Sequence, residues 1–474
     1  MKEQSASINT SGNDEVRSNP LGWEKTGKLL VRFSVPTIVS MLVSSLYNVV
    51  DQIFIGQGVG FLGNGATTVS FPLTTIGLAL ALLLGVGASA SYSLQLGRGQ
   101  LEDAAKTVGC SLSFMLIIGV VYFVVGELLL TFLLPVFGAT ADNYSYALEY
   151  SRIILIGMPF LIVSNGLCNL CQADGSPAFS MLCMVTGAVL NCILDPLFIF
   201  VFGWGMQGAA LATIIGQMLS LFMLLFYLPR FKNVSLHRHD FRLSQTILGR
   251  TCRLGAAASL NQAAILVVQI VLNNLLRSYG AQSIYGPDIP IAASGVAFKL
   301  NGIFISVMVG LSQGARPIVG FNYGARQYDR VKRVVLQAMA TVIVMGTLVE
   351  LCFQLFPREL ILLFGHGDEL YIQFGVNMLR IYLACICLIG VQALASNYFA
   401  AIAQPGKGAF LSLSRQIIFY IPLALILTGL FGIDGILYSQ PAADLLSVVV
   451  SILMVRLSFR QMDRMKADEA KASQ

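Results

Sequence analysis

"GASASYSLQLGRGQLEDAAK" (87–106) and "GARPIVGFNYGARQYDRVKR" (314–333) decide the fold. Laid one over the other, they match Gly87 with Gly314, Gly97 with Gly324 and Glu102 with Asp329. The likeness continues where "WGMQGAA" (204–210) lies over "FGIDGIL" (431–437) and Arg152 falls against Arg380. The chain thus reads as one unit written twice. Composition says what the unit is. Of the 474 residues, 56% are hydrophobic and 11% are charged, the charged share being roughly half or less of what a soluble domain carries.

Apolar runs long enough to cross a bilayer as helices occupy 29–57, 67–95, 108–134, 146–172, 179–202, 207–229, 252–278, 289–315, 334–356, 372–403, 411–431 and 435–456. An even number of spans per copy keeps both copies in the same orientation. The expected fold is an all-α integral membrane protein of about twelve transmembrane helices in two parallel six-helix repeats, an architecture that transporters use. The organisation follows: 1–28 a cytosolic N-terminal tail, 29–229 an N-terminal six-helix lobe, 230–251 a cytosolic basic linker, 252–456 a C-terminal six-helix lobe and 457–474 a cytosolic tail.

Lys and Arg gather on alternate loops: Lys25, Lys28 and Arg32; Arg98 and Lys106; Arg230 to Arg250; Arg316 to Arg333; Lys407 and Arg415; Arg456 to Arg464. By the positive-inside rule both termini are cytoplasmic, in a multi-pass protein of the cytoplasmic membrane. The net charge of +6 is accounted for by these loops, so no nucleic-acid partner is expected. The polar first residues lack the apolar core of a signal peptide. The nine cysteines sit mostly in apolar runs without a nearby His or carboxylate cluster, which excludes a zinc site or disulfide framework as the leading reading. His237, His239 and His366 all fall in loops with no paired nucleophile, and no G-x-x-x-x-G-K-S/T phosphate loop occurs, so neither an enzyme nor an ATP-driven pump is expected.

Two acids interrupt the spans: Asp51 in "LYNVVDQIFIG" and Asp195 in "NCILDPLF". A carboxylate at a helix centre costs about 2.5 to 3.5 kcal/mol even on conservative scales, which makes each a functional candidate. With the fifth span leaving and the sixth re-entering on the same side, Asp51, Asp195 and Thr213 fall at one depth, roughly 10 Å from the outer helix ends. Asn191 is one turn from Asp195 on the same face. Pro196 cannot donate to the carbonyl of Cys192, which predicts a bend and a freed acceptor beside the acid. Such an oxygen-rich cluster suits a proton or a small hard cation, so proton or sodium is the expected coupling ion, with sodium possible at Asp51 and Asp195 and no cofactor. In the alternative reading Asp195 only hydrogen-bonds a kinked helix and Asp51 sits in a wet vestibule. Lys299, in "SGVAFKLNGIF", is a candidate cavity charge and the one clear basic residue at mid-membrane depth. Glu127, Glu350, Arg152 and Arg380 read as interfacial.

These residues carry a resemblance. "FSVPTIVSMLVSSLYNVVDQIFIGQGVG" (33–60), the N-x-x-x-D-P of 191–196, "GASASYSLQLGRGQ" (87–100) and "GLSQGARPIVGFNYGARQYDRVK" (310–332) together resemble the multidrug and toxic compound extrusion (MATE) family, in its MepA-like bacterial branch, over nearly the whole chain. The resemblance implies two six-helix lobes set as a V around a central cavity, and export of amphipathic, often cationic, drugs against inward protons or sodium. It implies a cation site at the positions of Asp51, Asn191, Asp195 and Thr213, with the eighteen-residue step from the acid to the threonine kept. Another branch carries acids in the seventh and tenth helices. Here the repeat mate of Asp51, judged from helix ends, is about Asn273, and the tenth span has no carboxylate, so that branch's C-terminal sodium site is not expected.

The expected function is therefore a multidrug efflux antiporter, a transporter of xenobiotics and antibiotics that works as a monomer among membrane lipids on small amphipathic drug-like substrates. Tyr47, Phe54, Met41 and Phe71 are candidate cavity liners, offering π faces to a cation, although packing or lipid contact is the commoner role of such residues. The alternatives are a flippase of a lipid-linked precursor, which needs a basic cavity for its pyrophosphate, and, further off, a channel or membrane enzyme.

Overall fold

The computed structural model describes residues 19–59, 61–137, 144–286, 288–362 and 369–472. Twelve membrane-crossing elements follow one another: α1 Thr26–Gly58, α2 Phe61–Gly97, α3 Leu101–Val136, α4 Tyr144–Ala173, α5 Pro177–Pro196, α6 Gly205–Leu225, α7 Gln245–Gly280, α8 Asp288–Gly324, α9 Tyr328–Leu355, α10 Glu369–Ala401, α11 Pro405–Phe431 and α12 Ile433–Ala472. Eleven are unbroken spans by length and hydropathy, and α10 is the twelfth, bent by 49° between Tyr382 and Ile386. Several run past the predicted spans by a few turns, because their polar ends remain helical in water. No strand occurs among the described residues.

The buried side chains explain the shape. At the end carrying both termini, a single core joins the two halves, from Leu29, Tyr92 and Leu170 to Phe321, Val334 and Phe399. At the other end the core divides. Ile55, Leu73, Leu134 and Met206 form one cluster, and Leu276, Ala297, Phe374 and Ile436 form another. One shared core and two separate ones make a V whose apex lies at the terminus-bearing end. Outside, α3 turns Leu116, Val120, Val124 and Leu128 outward, all roughly half exposed or more, as a lipid-facing helix face requires.

Small residues hold the apex together. A side chain at Gly87 would strike the carbonyl of Thr251, and one at Gly255 the carbonyl of Leu83; across the pseudo-twofold axis a would-be Cβ at Gly314 would lie 2.6 Å from the Cα of Ser34, and one at Gly310 2.6 Å from the Cα of Ile38. Gly97 and Gly324, the matched glycines of the repeat, pack on each other. Backbones can approach this closely only where no Cβ stands between them.

Part of the expected tail is docked at this apex. A short helix, Pro20–Trp23, has its Leu21 carbonyl held by Asn322 Nδ2 (3.0 Å) and Arg330 Nη2 (3.1 Å). Buried Asp174 pins the stretch after α6: it accepts from Tyr92 Oη (2.6 Å), Tyr227 Oη (2.7 Å) and the Lys232 amide (2.7 Å).

Candidate functional site

In the N-terminal half, α5 and α6 cross where Gly187 meets Gly216, each placing a would-be Cβ 2.6 Å from the other's carbonyl oxygen. That approach carries Asn191, one turn further along α5, to Thr213 on α6, 3.3 Å from Asn191 Nδ2 to Thr213 Oγ1. The same nitrogen donates to Asp195 Oδ1 at 3.4 Å. With its amide turned over, Asn191 donates to Asp195 Oδ2 (3.3 Å) and accepts from the Thr213 backbone N–H (3.1 Å). Past Asp195, α5 continues through Pro196 and widens into a π turn, Leu197–Val201, closed by the Phe202 N–H on the Leu197 carbonyl at 3.0 Å. A proline that cannot fill its place in the ladder is thus absorbed by widening the helix.

Asp51 comes to this group from α1. α1 packs along α5, the helix that bears Asp195. Asp51 Oδ1 is buried with no partner among the described residues. Asp51, Asn191 and Thr213 line a cavity of about 470 Å³, whereas Asp195, 0% exposed, stands behind its wall. Asn191, which lines the wall and donates to Asp195, stands between that acid and the cavity.

Tyr47 and Phe71 line the cavity, and Tyr150 and Gln217, which the sequence reading passed over, do so as well. Phe54 lies outside this wall, packed edge-on against Phe200 at 6.2 Å between ring centroids, and Met41 is not part of the wall either. Lys299 belongs to α8, but its side chain lies outside the described residues, as does all of His366. Glu127 pairs with Arg152 across α3 and α4 at 3.1 Å.

The C-terminal half holds a cavity of about 430 Å³ with different chemistry. The packing register that sets Ser34 against Gly314 and Thr251 against Gly87 carries Asp51 onto Val268, not Asn273. Helix ends mislead here because α7 runs on to Gly280, past the point that matches the end of α1. Lys299 is also not the one basic residue at depth. Arg316, read as a loop charge, is two turns inside α8 and 2% exposed, and Arg415 lies inside the span of α11. A buried acid is present too. Asp444 on α12, 1% exposed, accepts from Arg415 Nε at 2.9 Å and from Gln440 Nε2 at 3.1 Å. The signal that marks Asp195, a carboxylate within an apolar run, marks Asp444 equally.

A model of the MatE family matches residues 36–197 and again 257–426, one match in each half. The chain belongs to the MatE family. Among curated proteins this MatE chain is 26% identical to the multidrug export protein MepA of Staphylococcus saprophyticus over 448 residues, covering 94% of this chain and 96% of that protein. It is 25% identical to MepA of Staphylococcus aureus over 435 residues, covering 91% and 93%. Among solved structures it superposes on an outward-facing multidrug resistance MATE transporter of the MOP superfamily with a TM-score of 0.87 at 24% identity, covering 96% and 99%. It superposes as well on a MATE in its straight conformation, with a TM-score of 0.87 at 25% identity over 96% and 99% of the two chains. The two-lobed V of the MatE chain is the fold of these transporters.

Proposed function

We propose that this chain is a multidrug exporter, a secondary active antiporter that moves amphipathic, mainly cationic compounds out of a bacterial cell in exchange for inward protons or sodium. The curated relatives are named multidrug export proteins, and the chain is a transporter rather than an enzyme. The observation that carries the coupling assignment is the Asp51 carboxyl: it borders the cavity, comes from a helix packed on the one that bears buried Asp195, and leaves Oδ1 without a partner among the described residues. The oxygens that border it, its own carboxyl and the Thr213 hydroxyl, with the Asp195 carboxyl behind Asn191, fit a proton or a small hard cation. A cationic drug and the coupling ion would compete for the same negative charge, so binding one releases the other. The glycine-packed apex supplies a joint about which the lobes can swing, giving alternating access. In this reading the apex and both termini face the cytosol, the four site residues are Asp51, Asn191, Asp195 and Thr213, and the working unit is a monomer.

Purified protein in liposomes tests the reading. Ethidium efflux is expected under an imposed proton or sodium gradient, and the effective gradient names the ion. Asp51→Asn and Asp195→Asn are each expected to abolish efflux while still inserting in the membrane. Full efflux by both variants would sink the coupling assignment. The basic groups of the second cavity keep a flippase of a lipid-linked precursor as a second reading, in which ethidium would not move under either gradient.

A further inference from the structure

Arg316 lies where the two lobes meet, and among the described residues its charge has no counter-ion. Its Nη2 donates to Asn169 Oδ1 at 2.6 Å and lies 3.5 Å from Ser89 Oγ, both on the opposite lobe. Its Nε and Nη1 are buried without a hydrogen-bond partner among the described residues. Guanidinium has five N–H donors and no neutral form to fall back on in a protein. An uncompensated buried charge is among the costliest arrangements a membrane protein can keep, and one that persists marks a site of function.

The surroundings say what would satisfy it. Arg316 lines the C-terminal cavity, and Arg415 lines it too. Arg415 is half spoken for: its Nε is on Asp444, while its terminal nitrogens have no partner among the described residues. Asp444 itself stands behind the wall, so no carboxylate lines this cavity among the described residues; the remaining polar liners include the amides Asn261, Gln269, Asn301 and Gln440. The other cavity has the opposite character, with Asp51 on its wall and no Lys or Arg among its described lining. Gln262 belongs to both walls, so the two spaces adjoin.

We infer that the C-terminal cavity is an oxyanion subsite: Arg316, with Arg415 on the same wall, receives the carboxylate of an amphipathic substrate whose positive end faces Asp51. The transporter then takes zwitterions and small organic acids in addition to cations. The substrate class rests on the export reading above, but the subsite itself is a matter of binding and is measured without a gradient.

The probe is a fluorescent xanthene dye with a free carboxylate, compared with the methyl ester of the same dye, titrated by polarisation into full-length protein in phosphatidylcholine nanodiscs. Wild type is expected to prefer the acid. Arg316→Gln is expected to weaken binding of the acid roughly tenfold to a hundredfold, the range for losing a hydrogen-bonded charge, with the ester unchanged. Arg316→Lys keeps the charge without the planar fork and is expected to fall between, and it stands in if Arg316→Gln does not insert. Equal weakening of both dyes, or of neither, overturns the subsite, because a merely structural role at the lobe junction would not distinguish acid from ester. Loss of the acid preference in phosphatidylglycerol nanodiscs assigns the oxyanion to lipid phosphate and overturns the small-acid assignment. Ethidium efflux separates the two readings: if Arg316→Gln exports ethidium but binds acid and ester as wild type does, only the subsite fails. A wild type that prefers the acid yet exports neither dye nor ethidium sinks only the export reading.

Discussion

In the N-terminal half, α5 and α6 meet at Gly187 and Gly216 and gather two carboxyls, an amide and a hydroxyl beside a cavity. In the C-terminal half, the register that lays 204–210 over 431–437 carries Thr213 onto Gln440 and Gln217 onto Asp444, and an arginine faces the acid. Packing is repeated between the halves; charge is not. The difference lies in satisfaction as much as in sign. Asp444 has Arg415 and Gln440 on its oxygens, whereas Asp51 keeps an oxygen free. A satisfied acid holds helices together. An unsatisfied one is ready to exchange partners.

The largest expected effect breaks this comparison if it fails. Asp195→Asn should remove coupled ethidium efflux, more than tenfold against a single-turn assay background, with the folded protein still recovered. Asp444→Asn should instead cost stability, about 1.5–3 kcal/mol, because it takes the counter-charge from Arg415, which is partly buried on the cavity wall. A thermal melt in detergent reads that loss, and the double variant Arg415→Gln with Asp444→Asn should regain most of it. If Asp195→Asn melted early while Asp444→Asn stayed stable and uncoupled, the roles assigned to the two halves would be reversed.

A second expected effect concerns the apex that joins the halves. Gly255→Ala puts a methyl into the carbonyl of Leu83, backbone against backbone, where no rotamer can yield. The lobes should be held apart at that end. A cysteine placed at Ser34 should then react several-fold faster with a water-soluble maleimide than in the parent, and efflux should fall. Unchanged reactivity would show that the close approach is not needed to seal this end.

Much of the architecture was legible in the sequence, because apolar runs and a doubled motif report helices and their orientation directly. Asp51, Asn191, Asp195 and Thr213 could be aligned in depth by counting from helix ends, since these helices leave the bilayer at clear polar breaks. The same counting misjudged Arg316 and Arg415. A basic residue near the end of an apolar run looks the same whether its side chain snorkels to water or turns inward onto Asn169 or Asp444, and only packing decides. Asp174 was missed for a related reason: its partners Tyr92, Tyr227 and Asn233 are distant in sequence. Pattern reading finds the helix that bears a residue more readily than the neighbour that residue faces.

A third effect sharpens the account of α5. Pro196→Ala restores an N–H to the ladder and removes the reason for the π turn at Leu197–Val201. With both acids intact, coupled efflux should fall by a few-fold while drug binding is kept. Unchanged transport would mean that the widened turn only accommodates the proline.

The smallest expected effect separates residues that sequence alone grouped together. Tyr47 and Phe71 border the N-terminal cavity, so Tyr47→Ala and Phe71→Ala should each weaken ethidium binding a few-fold, the scale of one cation–π contact, about 0.5–1 kcal/mol where exposed and more when desolvated. Phe54 packs on Phe200 and Met41 is not part of the wall, so Phe54→Ala and Met41→Ala should leave ethidium affinity within about twofold. Phe54→Ala should still lower the melting temperature, since it removes an aromatic pair from the packing between α1 and the π turn that follows α5. Phe71 is more than half exposed in this structure and Tyr47 is not, so the Tyr47 variant should show the larger loss; the reverse order would place the drug nearer the mouth of the V than the acid pair.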